Sequence, residues 1–168
     1  MSLSMYHASV PVLTRALNNL IGVLEKGAAY AEAKKIEPSV LLNWRLAADM
    51  FPLSGQVQIA TDMSKGCVAR LAGVEIPNYE DNEASFPELI ARLRKTIDFV
   101  SSFSPAQIDG TEEKVVTLQR RDGEVSYKGL PYLLYYVHPN VYFHCTTAYD
   151  ILRHVGVEVG KADFIGKL

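Results

Sequence analysis

The chain has 168 residues, 48% hydrophobic and 21% charged, with a formal net charge of -2. That length suits one domain with a core that needs no staples, so a single domain over residues 1–168 is expected. The near-neutral balance, with no basic run beyond Arg120 and Arg121, excludes an electrostatic case for nucleic acid, and no apolar run approaches a membrane span.

The N-terminal stretch MSLSMYHASVPVL lacks a basic segment followed by a long apolar one, so no signal peptide is read and a cytoplasmic protein is expected. Tyr6, Val10, Leu13, Leu17, Leu20 and Leu24 then recur at helical spacing and predict a first helix over about Met5–Leu24. Pro11 lies in its first turns, and Gly27 is expected to stop or loosen it. Pro38 and Ser39 open a second helical pattern that runs to Leu71, with a kink or break at Pro52 and Gly55. A loop follows, with Gly73 and Pro77 as punctuation, and Ser85 with Glu88 fits a capping box. Leu89, Ile90, Leu93, Ile97 and Val100 mark a third helix. Alternation on both sides of Asp122-Gly123 signals a β-hairpin. A fourth helix is predicted from about Pro131 to His154, ending near Gly156. Four amphipathic segments and one short hairpin make an all-α bundle.

Successive helical residues turn by about 100°, which sorts the polar side chains by face. The second helix has its apolar stripe at Leu46, Leu53, Ala60, Met63, Cys67 and Leu71, and Asp49 and Gln56 fall on it. Gln58, Asp62 and Lys65 fall on the opposite, solvated side. The fourth helix has its stripe at Leu134, Val137, Val141, Ala148 and Leu152, with His144 on it and Asn140 at its edge. An acid, two amides and an imidazole are costly in an apolar interior unless they bond to each other or to a ligand. Asp49, Gln56, Asn140 and His144 are therefore the candidate ligand-binding set, and His144 with Asp49 the candidate catalytic pair. The plainer readings are a hydrogen-bonded core histidine, and Asp49 and Gln56 satisfying backbone groups freed at the Pro52 kink. Cys67 and Cys145 read as small core hydrophobes in a reducing compartment. His7 is expected at the surface or a cleft edge, and Asp150 with Arg153 as a surface ion pair of little weight. Tyr132, Tyr135, Tyr136, Tyr142, Phe143 and Tyr149 spread around the fourth helix, so its outer faces call for contacts with the hairpin, the tail or a second subunit. A homodimer is the expected assembly.

FPLSGQVQIATDMSKGCVARLAGVEIP, SPAQIDG and PNVYFHCTTAYDILRHVGVEVGKADFIG together resemble a bacterial family of unknown function in the DinB/YfiT-like superfamily of metal-dependent proteins. The resemblance covers nearly the whole chain. It implies a four-helix bundle connected up-down-down-up, dimeric, with a long linker carrying the hairpin between helices three and four. It also implies a divalent metal, zinc or nickel, held by one histidine of the second helix and an H-x-x-x-H pair of the last. Here the second helix has no histidine, and only His144 matches the pair, since Asn140 and Ala148 stand four residues to either side. The histidine triad is incomplete, and His144 is the one candidate metal ligand. Three functions follow. The first is a bundle binding a small molecule in a cleft around His144. The second is a metal-dependent or His144-based hydrolase or transferase. The third is a structural, dimeric interaction protein.

Overall fold

The computed structural model describes residues 3–120 and 123–167. Four long helices form the bundle: α1 (Met5–Lys34), α3 (Leu53–Ala72), α4 (Phe86–Ser101) and α7 (His138–His154). Short helices α2 (Pro38–Leu42), α5 (Pro105–Ile108), α6 (Gly129–Pro131) and α8 (Lys161–Ile165) punctuate the connections. Strands β1 (Val115–Arg120) and β2 (Gly123–Lys128) form an antiparallel hairpin with Val116 opposite Tyr127 and Thr117 opposite Ser126. The hairpin lies between α4 and α7, as expected. Gly123 has φ of 127° at the turn, and Arg121 and Asp122 fall outside the described residues. No described helix is long and apolar enough to cross a membrane.

Around the bundle, α1 packs between α4 and α7, and α3 packs between the same two helices on the far side. Leu13, Leu17 and Leu24 of α1, Leu53 and Leu71 of α3, Leu89 and Leu93 of α4, and Val141 and Leu152 of α7 are nearly sealed from solvent. Burial of this kind is the main stabilising term for such a bundle.

The ends of the helices follow their residues. Ser4 caps α1 by accepting a hydrogen bond from the His7 amide at 3.3 Å. The expected stop at Gly27 is not one, because α1 continues to Lys34. Gly27 instead lets α1 lie close to α4 and α7, where a Cβ would stand 3.0 Å from Phe86 and 3.1 Å from Leu152. The helix ends at Lys35, which takes the left-handed conformation with φ of 54°. Ser85 caps α4 through the Glu88 amide at 3.3 Å, while the Glu88 carboxylate reaches back to the Ala84 amide at 2.6 Å. That is the expected capping box displaced by one residue on its return arm.

Two departures from the sequence reading bear on the site. The break expected at Pro52 and Gly55 is present but wider and earlier: residues 43–52 between α2 and α3 leave the helix altogether, and Pro52 becomes the N-cap of α3. A residue before proline avoids the helical region, which ends helical phase there. The count of about 100° per residue therefore cannot be carried across the break, and Leu46 and Asp49 are exposed rather than on the core stripe. The second departure is a π-helical segment, Tyr132–Val137, that leads into α7. Pro139 has no N–H for the Tyr135 carbonyl and its ring crowds that carbonyl, and the wider turn relieves both. The inserted residue rotates the preceding side chains, so Leu133 is buried and Leu134 is 36% exposed.

Candidate functional site

The structure brings His144 and Gln56 together across the seam between α7 and α3. Gln56 is 1% exposed and His144 9%. The Gln56 side-chain amide donates from Nε2 to the Phe51 carbonyl at 2.9 Å. A carbonyl only accepts, so this bond turns Oε1 of Gln56 toward His144. The His144 Nδ1–H then donates to that oxygen at 2.7 Å. Burial lowers the His144 pKa, which favours the neutral ring. The protonated Nδ1 leaves Nε2 with its lone pair, and this atom has no hydrogen-bond partner among the described residues. It is not among the polar atoms sealed from solvent without a partner. The site is thus an oriented imidazole offering one acceptor.

The other expected members do not join. Asp49 is exposed on the non-helical connection after α2, and no bond links it to His144. The expected acid–base pair is therefore not assembled. Asn140 is half-buried on α7, and its side chain donates to the Tyr136 carbonyl at 2.6 Å. It serves a carbonyl in the π-helical segment rather than the face of His144. One exposed ring adjoins the imidazole instead, and a second belongs to the residue whose carbonyl anchors Gln56. The Phe143 ring stands edge-on to His144 at 5.3 Å between centroids and is 56% exposed, and Phe51 is 60% exposed.

A zinc or nickel site does not fit these residues. His144 is joined by a neutral amide, Gln56, and a second amide, Asn140, is occupied by its own helix. No group of three or more His, Cys, Asp or Glu that could hold a metal ion occurs among the described residues. Divalent zinc or nickel calls for several imidazole, thiolate or carboxylate donors, and this seam supplies only one, His144. Both thiols are poor ligands as well, since burial pushes Cys67 and Cys145 up to about 12.

Two features escaped the sequence reading. Residues 73–85 fold over the face of α3 that was expected to be solvated, and Arg92 of α4 meets them there at 4% exposure. Its guanidinium donates to Thr61 at 2.8 Å, to the Glu80 carbonyl at 3.0 Å, to Glu83 at 2.9 Å and to Asp62 at 3.0 Å. Lys65, only 5% exposed, pairs with Asp62. The alternation of Asp62, Asp81 and Glu83 with Lys65 and Arg92 was the available signal. The second feature is His138, whose Nε2 is buried without a partner among the described residues. Burial holds its pKa below the ordinary histidine value.

The fold is similar to that of known proteins. A crystal structure of a DinB family member protein from Shewanella denitrificans matches with a TM-score of 0.88 and 39% sequence identity, covering 97% of this chain and 92% of that one. No curated protein shows significant similarity to the chain. The expected fold class, an all-α DinB-like four-helix bundle with a small hairpin before the last long helix, is correct. Residues 5–165 match the family described as Domain of unknown function (DUF1993), and the chain belongs to that family.

Proposed function

We propose that this single-domain DinB-like bundle binds a small molecule through His144 without a metal. The observation that supports the reading is the 2.7 Å bond from His144 to Gln56, itself anchored on the Phe51 carbonyl. It fixes the imidazole and aims the free Nε2 lone pair away from Gln56. Such an acceptor recognises a hydroxyl, amine or thiol proton. The exposed Phe143 ring, edge-on to the imidazole, supplies apolar contact beside it. The hydrolase reading lacks a carboxylate on His144, because Asp49 stands elsewhere.

The test combines elemental analysis of untagged protein with a small-molecule screen read by two-dimensional NMR. The proposal expects substoichiometric zinc and nickel, and hits that shift Phe51, Gln56 and His144 signals and disappear in His144→Ala. Near-stoichiometric metal lost in that variant would replace it with the metalloenzyme reading. The homodimer belongs to the same proposal on a separate observation. Tyr135, Tyr142 and Phe143 are 76%, 43% and 56% exposed, leaving aromatic surface that a second copy would cover. Light scattering at increasing concentration reads that out, and a monomer throughout would remove it.

A further inference from the structure

A separate cavity lies where α1, α7 and α8 meet, and the His144 site does not use it. Its volume is about 300 Å³, and its walls are apolar: Val12, Ala16, Leu20, Tyr142, Cys145 and Phe164. At roughly 30 Å³ for each water-sized unit, it has room for about ten non-hydrogen atoms. The segment that closes it is firmly held. Lys26 pairs with Asp163 at 2.8 Å, and Asn19 donates to the Phe164 and Ile165 carbonyls at 3.0 and 2.8 Å. Gly166, with φ of 71°, passes so close to Asn19 that any side chain would meet its amide. The cavity is thus preformed.

Its polar lining is Arg15 and Asn19. Asn19 has spent its amide protons on the tail. Arg15 has spent one, donating from Nη2 to the Ile165 carbonyl at 3.0 Å. Its guanidinium has no carboxylate partner among the described residues, unlike the neighbouring Lys26. Arg15 is exposed, so a charged group bound to it stays at the rim. A single monovalent cation beside an apolar chamber matches a monoanion with an apolar body. The guanidinium fork also matches the two oxygens of a carboxylate.

We propose that this cavity binds a small amphipathic carboxylate, its body against Leu20, Cys145 and Phe164 and its carboxylate on Arg15. The proposal stands apart from the His144 reading, since it uses none of the same side chains.

Octanoate, which matches the cavity in size, is the probe, with 1-octanol as the uncharged control. Affinities come from calorimetry on the wild-type chain, Arg15→Gln and His144→Ala, with thermal melts to show that each is folded. Saturable octanoate binding is expected, with NMR shifts at Ala16, Cys145 and Phe164. Arg15→Gln should weaken octanoate about tenfold and leave 1-octanol unchanged. His144→Ala should leave octanoate binding intact even if it abolishes the ligand of the other site. Absence of saturable octanoate binding, equal affinity in Arg15→Gln, or loss in His144→Ala alone would each overturn the proposal. Ala16→Leu, which narrows the chamber, gives a second reading and should weaken both probes.

Discussion

Two buried polar clusters cross from α3 to a neighbouring helix, and they are built on opposite plans. Around Arg92 every nitrogen of the guanidinium has an acceptor, three carboxylates surround the charge, and the Tyr79 ring lies 5.4 Å from it. Around His144 one nitrogen is bonded and the other has no partner among the described residues. A closed cluster of that kind ties elements together and has no valence left for a ligand. An open one is fixed on one side and available on the other. The difference assigns architecture to the first and chemistry to the second, although the first carries far more charge.

Removing Arg92 is the largest expected perturbation. Arg92→Met leaves Glu83, whose side chain is only 10% exposed, without its cation. Breaking a buried pair from one side costs about 3–5 kcal/mol. Urea unfolding should show a loss of that order, and residues 73–85 should gain amide exchange. A loss under about 1 kcal/mol would mean that the cluster is solvated and does not hold the connection.

His144→Ala comes next. It strands the Gln56 oxygen and opens space at the seam, for about 2 kcal/mol. His144→Gln should recover part of that stability. The comparison breaks if His144→Ala costs as much as Arg92→Met, since His144 would then be as structural as the arginine.

Acid sharpens it further. His138 and His144 both have pKa values lowered by burial from the ordinary 6.5. The unfolded chain therefore takes up protons first as pH falls through 6.5, and stability declines below that point. Above it both states are neutral at these groups and they add no pH dependence. Unfolding midpoints between pH 7.5 and the carboxylate range should fall with acid, and His138→Phe combined with His144→Gln should flatten the decline. An unchanged slope in the double variant would mean that neither ring is buried enough to resist protonation.

Much of this molecule could be read from spacing, and the failures have local causes. The long helices and the hairpin followed from their apolar periods, and the core position of His144 and Gln56 did too, because each of these residues lies within one unbroken helix. Leu134 was misplaced because Pro139 converts the preceding turns to a π-helix and shifts their phase. Lys65 and Asp62 were assigned to solvent because periodicity says which face of a helix is polar, not whether a loop covers it. The cavity beside Arg15 depends on α8, Gly166 and the tail, all distant in sequence from α1, so no local pattern announced it.

Asp49 gives the smallest effect and the cleanest test of the break at Pro52. On a continuous helix it would face His144, and neutralising it would disturb a buried pair by several kcal/mol. On the exposed connection between α2 and α3 it has no such partner among the described residues. Asp49→Asn should therefore change stability by less than about 0.5 kcal/mol. It should also leave the His144 ring signals and any ligand affinity at that site where they were. A shift in the His144 titration in this variant would mean that the carboxylate does reach the imidazole. The acid–base pair would then return, and the open cluster would have to be read as a catalytic one.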